Sequence, residues 1–151
     1  MKKKILVLMG GISGERNISI KTGKACCKAL KKKGYFVKTL NPRGNFIDQL
    51  RKERPHIVFN ALHGRYGEDG FVQSILEFEK IKYTHSGVLA SSIAINKLIS
   101  KKIFIKNKIP TPNYLVYDFN SNKNLLNELK KNKINFPVVI KPINEGSSIG
   151  V

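Results

Sequence analysis

Ile5-Leu6-Val7-Leu8-Met9-Gly10-Gly11-Ile12-Ser13-Gly14-Glu15-Arg16 is the stretch on which the fold turns. Five unbroken apolar residues followed at once by glycine read as a strand buried on both faces. The chain then takes helical spacing from Asn17 to Lys33. Ile18, Thr22 or Gly23, Cys26-Cys27 and Leu30 line one side, and Lys21, Lys24, Lys28 and Lys31 line the other. Gly34 stands where a helix ends, and Tyr35-Phe36-Val37-Lys38-Thr39-Leu40 supplies a second strand. Strand, helix and strand in this rhythm form a βαβ unit, which implies a parallel sheet.

The pattern continues outward. Phe46 to Arg54 reads as a short helix closed by Pro55, His56 to Leu62 as a third strand, and Phe71 to about Glu79 as another helix. The expected fold is therefore α/β, a Rossmann-like parallel sheet whose ligand crevice lies beyond the carboxyl ends of its strands. Two polar loops, Gly10–Arg16 and His63–Gly70, leave from such ends. Leu89 to Lys108 reads as one helix or as two joined near Asn96, and Ile109-Pro110-Thr111-Pro112-Asn113 breaks it as an inter-domain connection. Tyr114 to Tyr117 is then a short strand, Ser121 to Asn132 a helix with Ser121 as N-cap, and Phe136 to Pro142 a further strand. It feeds the small loop Ile143-Asn144-Glu145-Gly146-Ser147-Ser148-Ile149-Gly150. A strand entering such a loop needs a returning strand for its backbone groups, so this second domain is expected to be cut in its first third.

Bulk composition narrows the function classes. The 151 residues, 41% apolar and 25% charged, suit a globular protein with one core and part of another. No run approaches the ~18 apolar residues of a membrane span. The opening apolar run is shorter than the roughly 7–15 residues of a signal-peptide core. The net charge of +18 comes overwhelmingly from scattered lysines, with no arginine-rich or aromatic-interleaved stripe. Solvated helix faces account for it, and nucleic acid is disfavoured as a partner. Cys26 and Cys27 are adjacent and lack metal-type or CxxC spacing, which fits small helix residues in a reducing cytoplasm.

Three loops carry candidate chemistry. In Gly10–Arg16 the glycines suit a turn at a helix N-terminus, but no G-x-G-x-x-G spacing or Walker lysine is present. The Glu15 carboxylate would repel phosphate and attract a cation such as an amino acid's ammonium group. Equally, it could serve only the helix dipole, worth about 0.3–1 kcal/mol. His63-Gly64-Arg65-Tyr66-Gly67-Glu68-Asp69-Gly70 places ionisable groups between glycines at the end of a buried strand. There His63 can bind a carboxylate or orient a substrate, or remain a hydrogen-bonded loop residue, while Glu68 and Asp69 read as caps for the helix beginning near Phe71. Lys141 with Glu145–Gly150 combines a lysine, two hydroxyls and backbone amides, the parts of a phosphate cradle; the competing reading is a Ser/Gly linker tip.

With these segments in hand, the chain resembles the D-alanine–D-alanine ligases, ATP-grasp enzymes of peptidoglycan precursor synthesis. The resemblance runs in order through Gly10 to Ser19, Phe59 to Gly70, Tyr83 to Ser91, Lys97, Ile109-Pro110-Thr111-Pro112, and Lys141-Pro142 through Gly146 to Val151. It implies a substrate-binding pre-ATP-grasp domain over residues 1–95 and an incomplete ATP-grasp domain over residues 96–151. It also implies a two-step reaction in which one D-alanine carboxylate takes the γ-phosphoryl group of ATP and the amine of a second D-alanine displaces phosphate. By that resemblance Glu15 holds the first ammonium group, His63 sits near its carboxylate, and Lys97 and Lys141 neutralise ATP phosphates. Ser147 and Ser148 would belong to the loop over the γ-phosphate, with Ser147 also joining Glu15 and a tyrosine in a hydrogen-bonded triad. The residues expected to hold Mg²⁺, adenine and the oxyanion are not in the chain, which alone should lack ligase activity. The complete protein would follow the family's common dimeric state. Two positions depart from the family pattern: His85 stands for glycine and Asn96 for aspartate. The alternatives are a non-catalytic module for a small ligand or partner, and nucleic-acid binding, which would be strongly salt-dependent.

Overall fold

The computed structural model describes residues 3–151. Its elements are β1 (Lys4–Leu8), α1 (Arg16–Lys32), β2 (Phe36–Leu40), α2 (Phe46–Glu53), β3 (Ile57–Asn60), α3 (Phe71–Phe78), α4 (Val88–Ala94), α5 (Lys97–Lys106) and α6 (Leu125–Lys131). The three strands form a parallel sheet in the order β2-β1-β3, with Leu6 opposite Lys38 on one side and Val58 on the other. The chain therefore leaves β1 toward one neighbour and returns past it to the other. That reversal opens a crevice between the loops that follow β1 and β3. Beyond β3, Val58 N–H donates to the Lys82 carbonyl at 2.8 Å and Thr84 N–H to the Val58 carbonyl at 3.0 Å, adding a single bridge at Tyr83.

Burial explains why β1 is continuously apolar. Leu6 and Leu8 point to one face and pack with Leu50, Val58, Val72 and Leu76 under α2 and α3. Ile5 and Val7 point to the other and pack with Cys27, Ala61 and the partly buried Leu30. Each such side chain contributes roughly 1.5–3 kcal/mol through burial. α1 can lie close to the end of β1 because residue 23 is glycine: a Cβ there would sit 2.5 Å from the Met9 Cβ. Its end is a Schellman turn, with Gly34 at φ +86°, Gly34 N–H donating to Lys31 O at 2.9 Å and Tyr35 N–H to Leu30 O at 3.2 Å.

Several elements differ from the sequence expectation, each for a local reason. The third strand leaves its ladder at Asn60 because that side chain accepts from Leu62 N–H at 3.1 Å and donates to the Gly67 carbonyl at 2.8 Å. The 89–108 segment is two helices, divided where Asn96 Oδ1 caps the second by accepting from Ile99 N–H at 3.0 Å. The segments 114–117 and 136–142 are not strands. Among the described residues neither finds a pairing partner, and strand propensity forms no ladder alone. α6 starts later than expected: Asn124, not Ser121, is its N-cap, accepting from Asn127 N–H at 3.2 Å, while Ser121 Oγ is buried without a partner. Asn107 and Lys108 end α5, and Lys101 straps the following connection by donating to Thr111 Oγ1 at 2.9 Å and Pro112 O at 2.7 Å. No helix among the described residues is long and apolar enough to cross a membrane.

Candidate active site

Three loops converge on Glu15. The first two are fastened by Ser13 of the β1–α1 connection and Ser19 of the first turn of α1. Ser19 Oγ accepts from Gly10 N–H at 2.8 Å and donates to Ala61 O at 2.7 Å. Ser13 Oγ accepts from Glu15 N–H at 3.2 Å and donates to His63 O at 2.7 Å. These bonds carry the turn after β1 against the turn after β3, and Glu15 falls between them, only 1% exposed. Gly64, at φ +68°, permits the closeness: a Cβ there would lie 2.5 Å from Glu15 Oε1.

The third loop comes from the far end of the chain. Gly146 N–H donates to Glu15 Oε1 at 3.2 Å, and the Ser147 hydroxyl donates to Glu15 Oε2. Lys97 holds the base of this loop, its N–H donating to Ile143 O at 3.0 Å and its ammonium to the carbonyls of Ile143 and Glu145. Ser147 and Ser148 both lie in the left-handed region, at φ 47° and 60°. Non-glycine residues there cost about 1–2 kcal/mol each, a strain the contacts with Glu15 and Lys97 hold in place.

His63 is oriented from two sides. Its Nε2 lies 3.1 Å from Thr22 Oγ1 and its Nδ1 3.5 Å from Glu68 Oε1, while Glu68 Oε2 accepts from Gly64 N–H at 2.7 Å. Asp69 stands one residue before Gly70, the N-cap of α3, and accepts from Phe71 N–H at 3.1 Å and from Tyr66 N–H at 2.8 Å. Of the expected site residues, Glu15, His63 and Ser147 thus share one cluster. Lys97 adjoins it through the loop backbone, and Ser148 follows in the same loop. Lys141 is exposed and contacts none of them among the described residues. Thr22 and Glu68 are additions: Thr22 reads in sequence as one more helix-face residue and Glu68 as a cap.

The donor set at the third loop fits a nucleotide's phosphates: a lysine, two hydroxyls and glycine amides, beside the hydrogen-bonded carboxylate of Glu15 and the exposed Glu145. Mg²⁺ is a different matter. Glu15, His63 and Glu68 bring possible ligand atoms within 4.8 Å of one another. An imidazole beside an occupied carboxylate does not match the all-oxygen octahedron that Mg²⁺ demands. Next to this cluster, sharing Ser13 and His63 with it, lies an apolar cleft of about 570 Å³.

The chain matches known proteins along its length. A family profile described as D-ala D-ala ligase N-terminus matches residues 39–86. The D-alanine–D-alanine ligase of Pelagibacter ubique is 57% identical across 100% of this chain and 50% of its own length, and that of Carboxydothermus hydrogenoformans 47% identical across 98% and 48%. The chain is similar throughout to the amino-terminal half of the D-alanine–D-alanine ligases. It spans about half the length of the relatives it matches. The crystal structure of the ligase from Bacillus anthracis superposes with a TM-score of 0.77 at 37% identity, covering 98% of this chain and 48% of that one. The same ligase complexed with ATP gives 0.77 at 36% identity, covering 95% and 48%. The likeness to the D-alanine–D-alanine ligases therefore extends from the sequence to the fold.

Proposed function

We propose that this chain supplies the substrate-binding half of an ATP-dependent ligase that joins two D-alanine molecules through an acyl phosphate, a step toward peptidoglycan precursors and cell-wall biogenesis. The observation that carries the reading is the junction of Glu15 with Gly146 and Ser147, which brings an ammonium-seeking carboxylate and a phosphate-seeking loop to one point. The division into a pre-ATP-grasp unit (1–95) and the start of an ATP-grasp unit (96–151) belongs to the same proposal. So do a homodimeric complete protein and a cytoplasmic setting.

In this reading ATP supplies the phosphoryl group, and the protein works by positioning and charge neutralisation. A carboxylate offers about four acceptor sites. Two of those on Glu15 are taken by Gly146 N–H and Ser147 O–H, which leaves capacity for an ammonium group. Because Glu15 is 1% exposed beneath the loop, the ammonium reaches it only when residues 146–148 lift. His63, steadied by Thr22 and Glu68, presents its imidazole toward the amino acid's carboxylate. Lys97 and Lys141, with Ser147 and Ser148, take the phosphates once the loop has moved. Mg²⁺ accompanies ATP but finds no suitable ligand set among these residues, so no step is assigned to it.

The test is to join this chain in frame to the carboxyl-terminal half of a D-alanine–D-alanine ligase and measure phosphate release. Release that requires D-alanine and yields the dipeptide supports the proposal. A folded fusion that turns over ATP without regard to D-alanine, or responds to a different acid, sinks it.

A further inference from the structure

The cleft beside the Glu15 cluster has a chemistry that the ligase reading does not use. Its walls are Phe46, Ile47, Leu62, Val72 and Ile75, contributed by α2, α3 and the turn after β3, and its volume of about 570 Å³ lies within the range of small-molecule pockets. One side is aromatic. Tyr66, itself at φ 66°, meets Phe71 edge to face with centroids 5.2 Å apart, and the Arg65 guanidinium stacks 4.9 Å over the Tyr66 ring. The lining also includes Arg43, whose Nε and one terminal nitrogen donate to the Gly11 carbonyl at 3.2 and 3.1 Å. With His63 also in the lining, the cleft has three basic side chains and no carboxylate. In most surface clefts of a lysine-rich protein, positive charge means little. Here the charges are planar, stacked or backbone-anchored guanidinium groups on the rim of an apolar box, a pattern suited to bidentate recognition of an anion.

We propose that this cleft binds a small amphipathic organic monoanion, an aryl or branched acyl carboxylate, with its apolar body between α2 and α3 and its carboxylate at Arg65 and Arg43. The site is distinct from the one built on Glu15, Ser147 and Lys97, and it does not depend on the ligase reading. It touches that reading at two points: its lining includes Gly10 to Ser13, the turn that delivers Glu15, and it includes His63. An occupant would therefore bear on that turn and on the His63 side of the substrate position.

The 151-residue chain itself can be tested, with 4-phenylbutyrate as probe and amide chemical shifts as readout. Saturable one-site shifts at Gly11, Phe46, Gly67 and Val72 are expected, with binding weakened about tenfold for the neutral 4-phenylbutanol, since an anion's loss of one charge-assisted pair is worth on the order of 1.4 kcal/mol. Ile47→Glu places a like charge on the wall at a position already 36% exposed, so the fold should survive, and should weaken binding at least as much. Arg65→Gln should weaken it several-fold. Shifts confined to the exposed apolar residues of 114–143, equal binding of acid and alcohol, or indifference to both substitutions would each overturn the proposal. So would the absence of saturable shifts up to millimolar probe.

Discussion

Ser147 donates its hydroxyl hydrogen to the carboxylate of Glu15, a residue 132 positions earlier in the chain. The bond works because each side arrives prepared: Glu15 is delivered by the serine-fastened turn after β1, and Ser147 is presented by a left-handed backbone held at its base by Lys97.

Removing the acceptor should free the loop without unfolding the sheet. In Glu15→Ala, Gly146 N–H and Ser147 O–H lose their partner, and a loop bond of about 1 kcal/mol corresponds to roughly fivefold in the opening equilibrium. Amide exchange at Gly146, Ser147 and Ile149 should rise by about that factor or more, while exchange at Leu6, Val7 and Leu8 stays as in the parent chain. Unchanged exchange in the loop would mean that Lys97 alone holds it. In the joined enzyme, Glu15→Gln should raise the D-alanine requirement at least tenfold, read from KM, and an unmoved KM would remove Glu15 from the ammonium site.

Two glycines separate conformational from steric effects. Gly34 and Gly64 both have positive φ, but a Cβ on Gly34 meets nothing within 4 Å, whereas one on Gly64 lies 2.5 Å from Glu15 Oε1. Gly34→Ala should therefore cost only the backbone term, about 1 kcal/mol in urea unfolding. Gly64→Ala should cost more, on the order of 2–3 kcal/mol, because it also pushes a buried carboxylate off its donors. Equal losses would show that Glu15 moves aside freely.

The framework strands and helices could be read from residues alone where the physics is local. β1 is a continuous apolar run because it is sandwiched, and Gly34 ends α1 because the Schellman turn needs positive φ. Glu15 and His63 stood out because ionisable groups at strand ends rarely lack a purpose. What could not be read depended on partners. Val138-Val139-Ile140 has strand composition, yet among the described residues nothing pairs with it and Val139 stays 69% exposed. The orientation of His63 by Thr22 is a contact between a helix face and a loop that no spacing rule encodes. Ser121 and Asn124 are both good capping residues, and only the turn made when Asp118 Oδ1 accepts from Asn120 N–H decides between them.

The two departures from the ligase pattern act on stability by different routes. His85 adopts φ 81°, where the family's glycine would sit without strain. Its Nδ1 lies 2.8 Å from Thr84 Oγ1 and its ring meets Phe59 edge-on, which offsets part of that strain. His85→Gly should change stability by less than about 1 kcal/mol in either direction. Asn96 caps α5, so Asn96→Ala should lose about 1 kcal/mol and Asn96→Asp should gain about 0.3–1 kcal/mol from the α5 dipole. Thermal unfolding of the three variants measures all of these, and a destabilised Asn96→Asp would contradict the capping geometry.

Acid stability should be set by the ties at the edge of the sheet. Lys4 and Lys38 hydrogen-bond to Glu53 and hold its carboxyl below the usual glutamate value, and Arg51 does the same to Glu79 through a two-nitrogen clasp of 2.9 and 2.6 Å. A carboxylate whose folded pKa is depressed contributes stability that is fully present above its unfolded value and is lost as pH falls through the folded one. The loss therefore begins near the ordinary value of 4.5 and continues below it. These side chains are solvent-accessible, so added salt should flatten the slope. Glu53→Gln and Glu79→Gln should each shallow the fall in urea midpoint between about pH 5 and 3, with the double variant shallower still. A parent chain whose midpoint stays level across that range would show that neither clasp contributes to folding stability.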